Sequence, residues 1–126
     1  MSADNGGWQL KTTPDTGPQT FGVKVTGSGG SAYRYSQTVW TLNTWYHVAG
    51  VYNATTQSLD IYVNGILDNG KLRGTVPSAQ VLQNVNVNIG RRPAGYYLAG
   101  VIDDIRIYNR ALSQAEIQSI MTTPLP

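Results

Sequence analysis

Apolar and polar residues alternate in several short segments, and the clearest case spans residues 45–65. The run LDIYV at 59–63 alternates Leu, Ile and Val with Asp and Tyr, the period of two expected for a strand with one buried face. The preceding run at 45–52, WYHVAGVY, is apolar on both faces, and the polar segment NATTQS separates the two. Runs of β-branched and aromatic residues around a polar turn are typical of a hairpin. The pattern therefore predicts an antiparallel hairpin near the middle of a sheet.

Other segments predict further strands, separated by Gly- and Pro-rich turns. These segments lie at residues 8–12, 19–26, 32–40, 85–89 and 97–108, with a shorter candidate at 67–72. Many short strands with frequent turns are typical of an antiparallel sandwich. The chain is therefore predicted to be all-β.

The C-terminal segment has a different pattern and predicts one short helix at 113–121. Ser113 with Glu116 three residues later forms a capping box at its start, and Leu112 with Ile117 forms a hydrophobic staple. Pro124 marks its end. The predicted architecture is a β-sandwich with one terminal helix.

Two motifs resemble one known family. The order W-x-H-V-A-x-x-Y, polar turn, L-x-I-Y-V-N-G at 45–65 and the segment AGVIDDIRIYNRALS at 99–113, with Glu116-Ile117 after it, are similar to the laminin-G-like, concanavalin A-like jelly-roll family. The resemblance implies an antiparallel jelly roll, a single domain over 1–126 and an extracellular setting within a larger protein. Family domains usually carry more sequence before the first motif. The resemblance therefore implies an N-terminally shortened sandwich with an open edge, and a homodimer.

Composition narrows the classes of partner. Charged residues make up 13% of the chain, against about 25% in typical domains. The net charge of +2 and the absence of like-charge runs do not indicate nucleic-acid binding. No apolar stretch of 18 or more residues predicts a membrane span. The chain has no cysteine, which excludes disulfides and thiolate metal sites, and its N-terminus shows no signal-peptide pattern.

The titratable residues do not predict catalysis. Glycoside hydrolysis usually needs two carboxylates flanking the bond, and the chain has one glutamate, Glu116, which the capping box uses. Asp103 and Asp104 are adjacent and would point to opposite faces of a strand. His47 is the one histidine, and no G-x-S-x-G motif is present. The chain is predicted not to be an enzyme, with a remnant of a polysaccharide-degrading enzyme as a distant alternative.

Asp103 is predicted to be a structural polar residue. In a strand it shares a face with Val101, Ile105 and Ile107, so it should be buried and bonded to backbone amides or to His47. The resemblance offers calcium as the alternative role, because related domains hold calcium through aspartates. Two adjacent aspartates do not supply the six to eight oxygens that calcium takes. The sequence therefore does not determine whether the protein binds a metal.

Arginine and aromatic residues supply the predicted binding surface. The loop GRRPAG carries Arg91 and Arg92 and is followed by Tyr96 and Tyr97. Arg donates to hydroxyls and carboxylates, and tyrosines are common on partly solvated surfaces because they combine an aromatic ring with a polar hydroxyl. Residues that would extend the surface are Trp8, Tyr33, Tyr35 and Trp40. The predicted function is a carbohydrate-binding or adhesion module for a polysaccharide or glycan, with acidic glycans favoured by the arginines. The alternative is a structural protein-interaction domain that binds no sugar.

Overall fold

A computed structural model describes residues 7–14, 18–92 and 95–126. The strands are β1 (Trp8–Thr13), β2 (Thr20–Gly27), β3 (Gly30–Val39), β4 (Val48–Asn53), β5 (Ser58–Val63), β6 (Ile66–Leu67) and β7 (Asn69–Arg73), and the helix is α1 (Gln114–Thr122). They form two antiparallel sheets, ordered β1-β2-β3-β7 and β4-β5-β6. The predicted all-β sandwich with one short C-terminal helix is confirmed.

The core lies between the two sheets. Val23 and Val25 of β2 and Leu59 and Ile61 of β5 belong to one buried cluster, and both β5 residues are fully buried. Each such side chain contributes about 1.5–3 kcal/mol relative to remaining exposed. The sheets come very close where Gly50 of β4 faces Val23, since a Cβ at position 50 would lie 2.6 Å from Val23 Cγ2. Burial in both sheets thus defines the inner faces.

Arg34 links the two sheets through backbone carbonyls. It pairs with Val23 across the β2–β3 ladder, so its side chain projects from the inner face of the first sheet toward the second sheet. Its Nε donates to the carbonyl of Leu59 at 2.9 Å, and its Nη1 donates to the carbonyl of Gly70 at 3.1 Å. A partly buried guanidinium is thereby paired with two carbonyl oxygens, which offsets part of its desolvation cost.

The predicted hairpin is present, but its position in the sheet differs from the prediction. β4 and β5 pair from Val48↔Val63 to Asn53↔Ser58. β4, however, forms an edge of the second sheet as described, and does not lie near its middle. The apolar residues before β4 reflect packing across the sandwich instead. Tyr46, for example, places its ring 5.2 Å from that of Phe21, edge to face.

Two predicted strands are not formed. Residues 85–89 and 97–108 lack regular ladder pairing, and Val85, Val87 and Ile89 are exposed. A segment with alternating apolar and polar residues forms a strand with one buried face only when a neighbouring strand supplies hydrogen-bond partners. In the second segment, Asp104 has a φ of 51°, a left-handed conformation that interrupts an extended strand. The predictions of strands at 85–89 and 97–108 were therefore wrong.

Helix α1 is capped as predicted. Ser113 Oγ accepts from the Glu116 amide at 3.3 Å, and a Glu116 carboxylate oxygen accepts from the Ser113 amide at 2.8 Å. Ile117 is fully buried, and Gln118 Nε2 donates to the Gly65 carbonyl at 3.0 Å, which docks α1 beside β6. At its other end, the Arg106 guanidinium donates to the carbonyls of Ile120 and Thr123.

In the described parts of the chain, no helix combines the length and apolar character needed to cross a membrane.

Candidate functional site

A row of four side chains crosses the outer face of the first sheet. Gln9 pairs with Lys24, Lys24 pairs with Tyr33, and Tyr33 pairs with Arg73 across three consecutive ladders. Residues directly opposite each other in an antiparallel ladder project from the same face. Tyr33 therefore lies between Lys24 on one side and Arg73 on the other.

A second row lies beside the first. Lys11 pairs with Gly22, and Gly22 pairs with Tyr35. Each lies two residues along its strand from a member of the first row and so shares its face. The Tyr33 and Tyr35 rings lie 6.4 Å apart and are nearly parallel, at 5°. Gly22 provides no side chain under this pair, which leaves room for the Tyr35 ring.

These rows form a cleft of about 530 Å³, which we call the Tyr33 cleft. Its lining residues are Gln9, Lys11, Lys24, Ser31, Tyr33, Tyr35, Arg73, Gly74 and Arg92. The strands supply all of them except Gly74, just after β7, and Arg92. Tyr33 is half-buried and Arg73 is exposed, whereas only 2% of Tyr35 is exposed. The cleft therefore offers Tyr33 as its open aromatic surface.

Arg92 reaches the cleft from the loop at 90–98. Its amide donates to the Tyr96 carbonyl at 2.9 Å, and an isolated bridge joins Arg91 to Tyr97. The Arg92 guanidinium carbon lies 5.0 Å from the Tyr96 ring centre, within cation–π range. The loop thus turns back on itself at the predicted basic segment.

All charged residues in the described lining of the Tyr33 cleft are basic. Its described lining residues include four cations and no carboxylate. Lys11 Nζ and Lys24 Nζ lie 5.7 and 5.6 Å from the Tyr33 ring centre, which places both ammonium groups beside one ring. Among the described residues, neither Lys24 nor Arg73 forms an ion pair. The arrangement suits a ligand with a ring that contacts Tyr33 and with oxygen acceptors for the cations.

The predicted ligand-binding residues do not all meet at one place. Tyr33, Tyr35 and Arg92 line the Tyr33 cleft, and Tyr96 contacts Arg92. Those that do not line it are Trp8, Trp40, Arg91, Tyr96 and Tyr97. Trp40 is half-buried and packs against the core, where its Nε1 lacks a described hydrogen-bond partner.

Sequence reasoning missed Lys11, Lys24 and Arg73 as site residues. Lys11 and Lys24 occupy polar positions of predicted strands, a weak signal on its own. Their association with Tyr33 depends on which strands are neighbours and in what register. The pairing of the strands gives that information, whereas the alternation of apolar and polar residues along one strand does not.

A second, smaller pocket contains the predicted structural pair. Trp45, Tyr46, His47, Asp103 and Asp104 line a cavity of about 250 Å³. The prediction that Asp103 is buried was wrong, because no strand forms there and its side chain is exposed. Its Oδ1 accepts from the Asp104 amide at 2.8 Å, one backbone bond of the predicted kind. No bond to His47 is seen in the described residues.

His47 is half-buried in the smaller pocket and lies just before β4. Its backbone amide donates to Asn64 Oδ1 at 3.0 Å. Burial lowers the pKa of His47, and the nearby Arg106 charge lowers it further. Asp104 lies 3.6 Å from Arg106 and acts in the opposite direction. A neutral imidazole at physiological pH is therefore favoured.

The described residues contain no group of three or more His, Cys, Asp or Glu side chains that could hold a metal ion. Asp103 and Asp104 lie together, but they are only two carboxylates. Calcium takes six to eight oxygens.

The fold agrees with the family comparison. A laminin G family model, described as the concanavalin A-like lectin/glucanases superfamily, matches residues 1–118. The chain therefore belongs to this superfamily, which confirms the resemblance inferred from the two motifs. The description includes both lectins and glucanases, so membership does not by itself distinguish binding from hydrolysis.

Comparison with solved structures gives a more distant likeness. The chain is 23% identical to the crystal structure of residues 221–444 of an S-layer domain-containing protein from Clostridium thermocellum ATCC 27405, with a TM-score of 0.45. The match covers 97% of this chain and 66% of that one. No curated protein matches this chain.

Proposed function

We propose that this protein is a non-catalytic carbohydrate-binding module and that the Tyr33 cleft is its binding surface. The observation that carries the proposal is the position of Tyr33. Its ring lies on an outer sheet face between Lys24 and Arg73, cross-strand neighbours on either side. Binding sites for small ligands combine apolar or aromatic surfaces with a few placed polar groups. A sugar ring over Tyr33, with hydroxyls near the flanking cations, fits that composition.

We propose no hydrolytic activity, because the described lining of the Tyr33 cleft includes no acid. Glycosidases usually use two carboxylates flanking the scissile bond, and the described lining residues of the Tyr33 cleft include none. The smaller pocket does hold Asp103 and Asp104, but Asp104 faces Arg106 at 3.6 Å.

Glycan binding should be tested by calorimetry after a glycan array has identified a ligand. Tyr33→Ala should weaken binding about tenfold, since an aromatic stacking contact contributes about 0.5–1.5 kcal/mol beyond the area that it buries. Tyr97→Ala is the matched control, because Tyr97 is 73% exposed and does not line the cleft. Equal losses in the two variants, or no glycan bound by the wild-type protein, would reject the Tyr33 cleft.

Absence of catalysis is tested separately. The purified protein, incubated with the polysaccharides it binds, should release no reducing ends or unsaturated products. Release that disappears in Asp104→Asn or His47→Ala would show an enzyme whose centre is the smaller pocket. The proposal includes an extracellular or cell-surface setting, where polysaccharide ligands are abundant, as one module of a larger protein.

Self-association is the second candidate function. Several apolar side chains between residues 82 and 108 are exposed, including Leu82 at 94% and Val101 at 76%. Exposed apolar surface beyond isolated residues marks interaction sites. Sedimentation of the wild-type protein at micromolar concentration should then show a dimer, and Val87→Lys should shift it to monomer. A 13.7 kDa species alone would reject this candidate.

A further inference from the structure

The Tyr33 cleft contains two separate cationic positions on one line. Lys24 and Arg73 lie on either side of Tyr33 in the same cross-strand row. Neighbouring strands are 4.7–4.9 Å apart, so the Lys24 and Arg73 backbones are about 10 Å apart across the sheet. In this row of described residues, Tyr33 lies between them. A ligand that reaches both cations must therefore pass over the Tyr33 ring.

The charges at these two positions are not compensated within the described structure. Neither Lys24 nor Arg73 forms an ion pair with a described residue, and no described lining residue is acidic. The Lys24 ammonium lies 5.6 Å from the Tyr33 ring centre, and the Lys11 ammonium lies 5.7 Å from it. Cations without a carboxylate partner, such as Lys24 and Arg73 in the described structure, are available to pair with the anionic groups of a ligand.

We infer that the Tyr33 cleft binds an acidic polysaccharide through two anionic groups that lie on either side of one sugar ring. This inference rests on the proposed function and specifies its ligand class. One carboxylate or sulfate ester accepts from Lys24, with Lys11 nearby, and the second accepts from the Arg73 guanidinium. The sugar between them contacts Tyr33. The polysaccharide then crosses the strands of the first sheet and does not run along them.

The requirement for anionic groups predicts an order of binding affinity among polysaccharides. Dextran sulfate and polygalacturonate, which present sulfate esters and carboxylates respectively, should bind, and neutral dextran should bind at least tenfold more weakly. Affinity for the acidic polymers should fall as the salt concentration rises, because exposed charges are screened. Preference between the two acidic polymers identifies which oxyanion the cleft favours.

Two variants test whether both cations contact the same ligand. Lys24→Gln and Arg73→Gln should each lower the affinity for the acidic polymer about tenfold, the usual effect of losing one charged hydrogen bond. Arg91→Gln is the matched control, because it removes the same charge from an exposed position that does not line the cleft. A loss in Arg91→Gln equal to that in Arg73→Gln would show only a general charge effect and would overturn the inference.

A length series of galacturonate oligomers tests the spacing. Affinity should rise sharply at the oligomer that first spans Lys24 to Arg73 and should change little beyond it. In Arg73→Gln that step should disappear, while binding of shorter oligomers should be unchanged. A smooth rise with length that is the same in both proteins would overturn the two-position arrangement.

The outcomes separate this inference from the proposed function. If neutral dextran binds as tightly as dextran sulfate and Tyr33→Ala abolishes both, the module binds glycans but the anionic positions are wrong. If no polysaccharide binds, both proposals are wrong. If a single-stranded oligonucleotide binds more tightly than either acidic polymer, with the same dependence on Lys24 and Arg73, the ligand class is wrong and nucleic acid replaces it.

Discussion

The ring of Tyr35 lies against Gly22, its direct partner across the β2–β3 ladder. A Cβ at position 22 would lie 3.3 Å from Tyr35 Cδ1 and 3.2 Å from Thr13 Cγ2. Both distances are shorter than ordinary van der Waals contact. The parallel arrangement of Tyr35 and Tyr33 therefore depends on the missing side chain at Gly22.

Substitution of Gly22 should disturb both the fold and the cleft. Gly22→Val adds an isopropyl group that needs the space of the Tyr35 ring, so we expect the free energy of unfolding to fall by about 1–3 kcal/mol. Gly22→Ala should cost less, because its single Cβ needs a shift of only a few tenths of an ångström. Chemical denaturation compares the two variants. A Gly22→Val protein as stable as the wild type would show that Tyr35 moves freely.

The stability of the fold should also be sensitive to a side chain added at Gly50, which faces Val23. A Cβ at position 50 would lie 2.6 Å from Val23 Cγ2, and Val23 is buried and has a stiff, branched side chain. Gly50→Ala should lower the free energy of unfolding by about 1–3 kcal/mol. Gly29→Ala is the control, since a Cβ at Gly29 meets nothing within 4 Å.

A double-mutant cycle identifies the cause of the Gly50 effect. If the added methyl collides with Val23, Gly50→Ala should cost less in a Val23→Ala background than in the wild type, with a coupling of about 0.5–3 kcal/mol. Additive losses would place the effect elsewhere, for example in the β4–β5 ladder.

Arg34 should contribute to stability although it is charged. Its guanidinium donates to carbonyls in both sheets, at 2.9 Å to Leu59 and at 3.1 Å to Gly70. Arg34→Met keeps much of the aliphatic length but leaves both carbonyl oxygens without this donor. The free energy of unfolding should fall by about 1–3 kcal/mol. Arg91→Met, at an exposed loop position, should change it by about 0.5 kcal/mol or less.

The cap of helix α1 should make stability depend on acid pH. Hydrogen bonds from Arg110, and then from Ser113, lower the pKa of Glu116 from 4.5 to about 2. The folded state therefore favours the ionised carboxylate. Its stabilising contribution is complete above about pH 4.5 and is lost as the pH falls through about 2.

The measurement compares wild type with Glu116→Gln in denaturant titrations from pH 6 to pH 2. The stability difference between them should be constant above about pH 4.5 and should shrink toward pH 2. High salt should reduce the difference, because the groups are exposed. A difference that does not change across this range would show that the carboxylate charge has no role in the cap.

Local patterns predicted much of the fold. Strands β1 to β5 and helix α1 coincide closely with predicted segments, because alternation, turn residues and the capping box act over a few neighbouring residues. The segments at 85–89 and 97–108 show the limit of that reasoning. They alternate as clearly as β5, but an extended segment becomes a strand only where another segment satisfies its backbone groups.

The candidate site was predicted only in part. Tyr33, Tyr35 and Arg92 were identified by residue type, since aromatic and arginine side chains are common in binding surfaces. Trp40 was included for the same reason and packs against the core instead. Lys24 and Arg73 were missed because a single exposed cation in a strand carries no information until its cross-strand partners are known.

The sequence by itself determined the alternation in β3, which separates Tyr33 and Tyr35 from Ala32 and Arg34, because successive side chains in a strand must point to opposite faces. It did not determine which of these faces lies inside. That choice came from the tertiary structure, in which Ala32 is fully buried between the sheets and Arg34 reaches carbonyls of both. The tyrosines were thereby left on the outer face, where Tyr33 lies between Lys24 of the preceding strand β2 and Arg73 of β7, a strand distant in the chain. The physical reason is that a strand's period is local, whereas its burial depends on the sheet that packs against it.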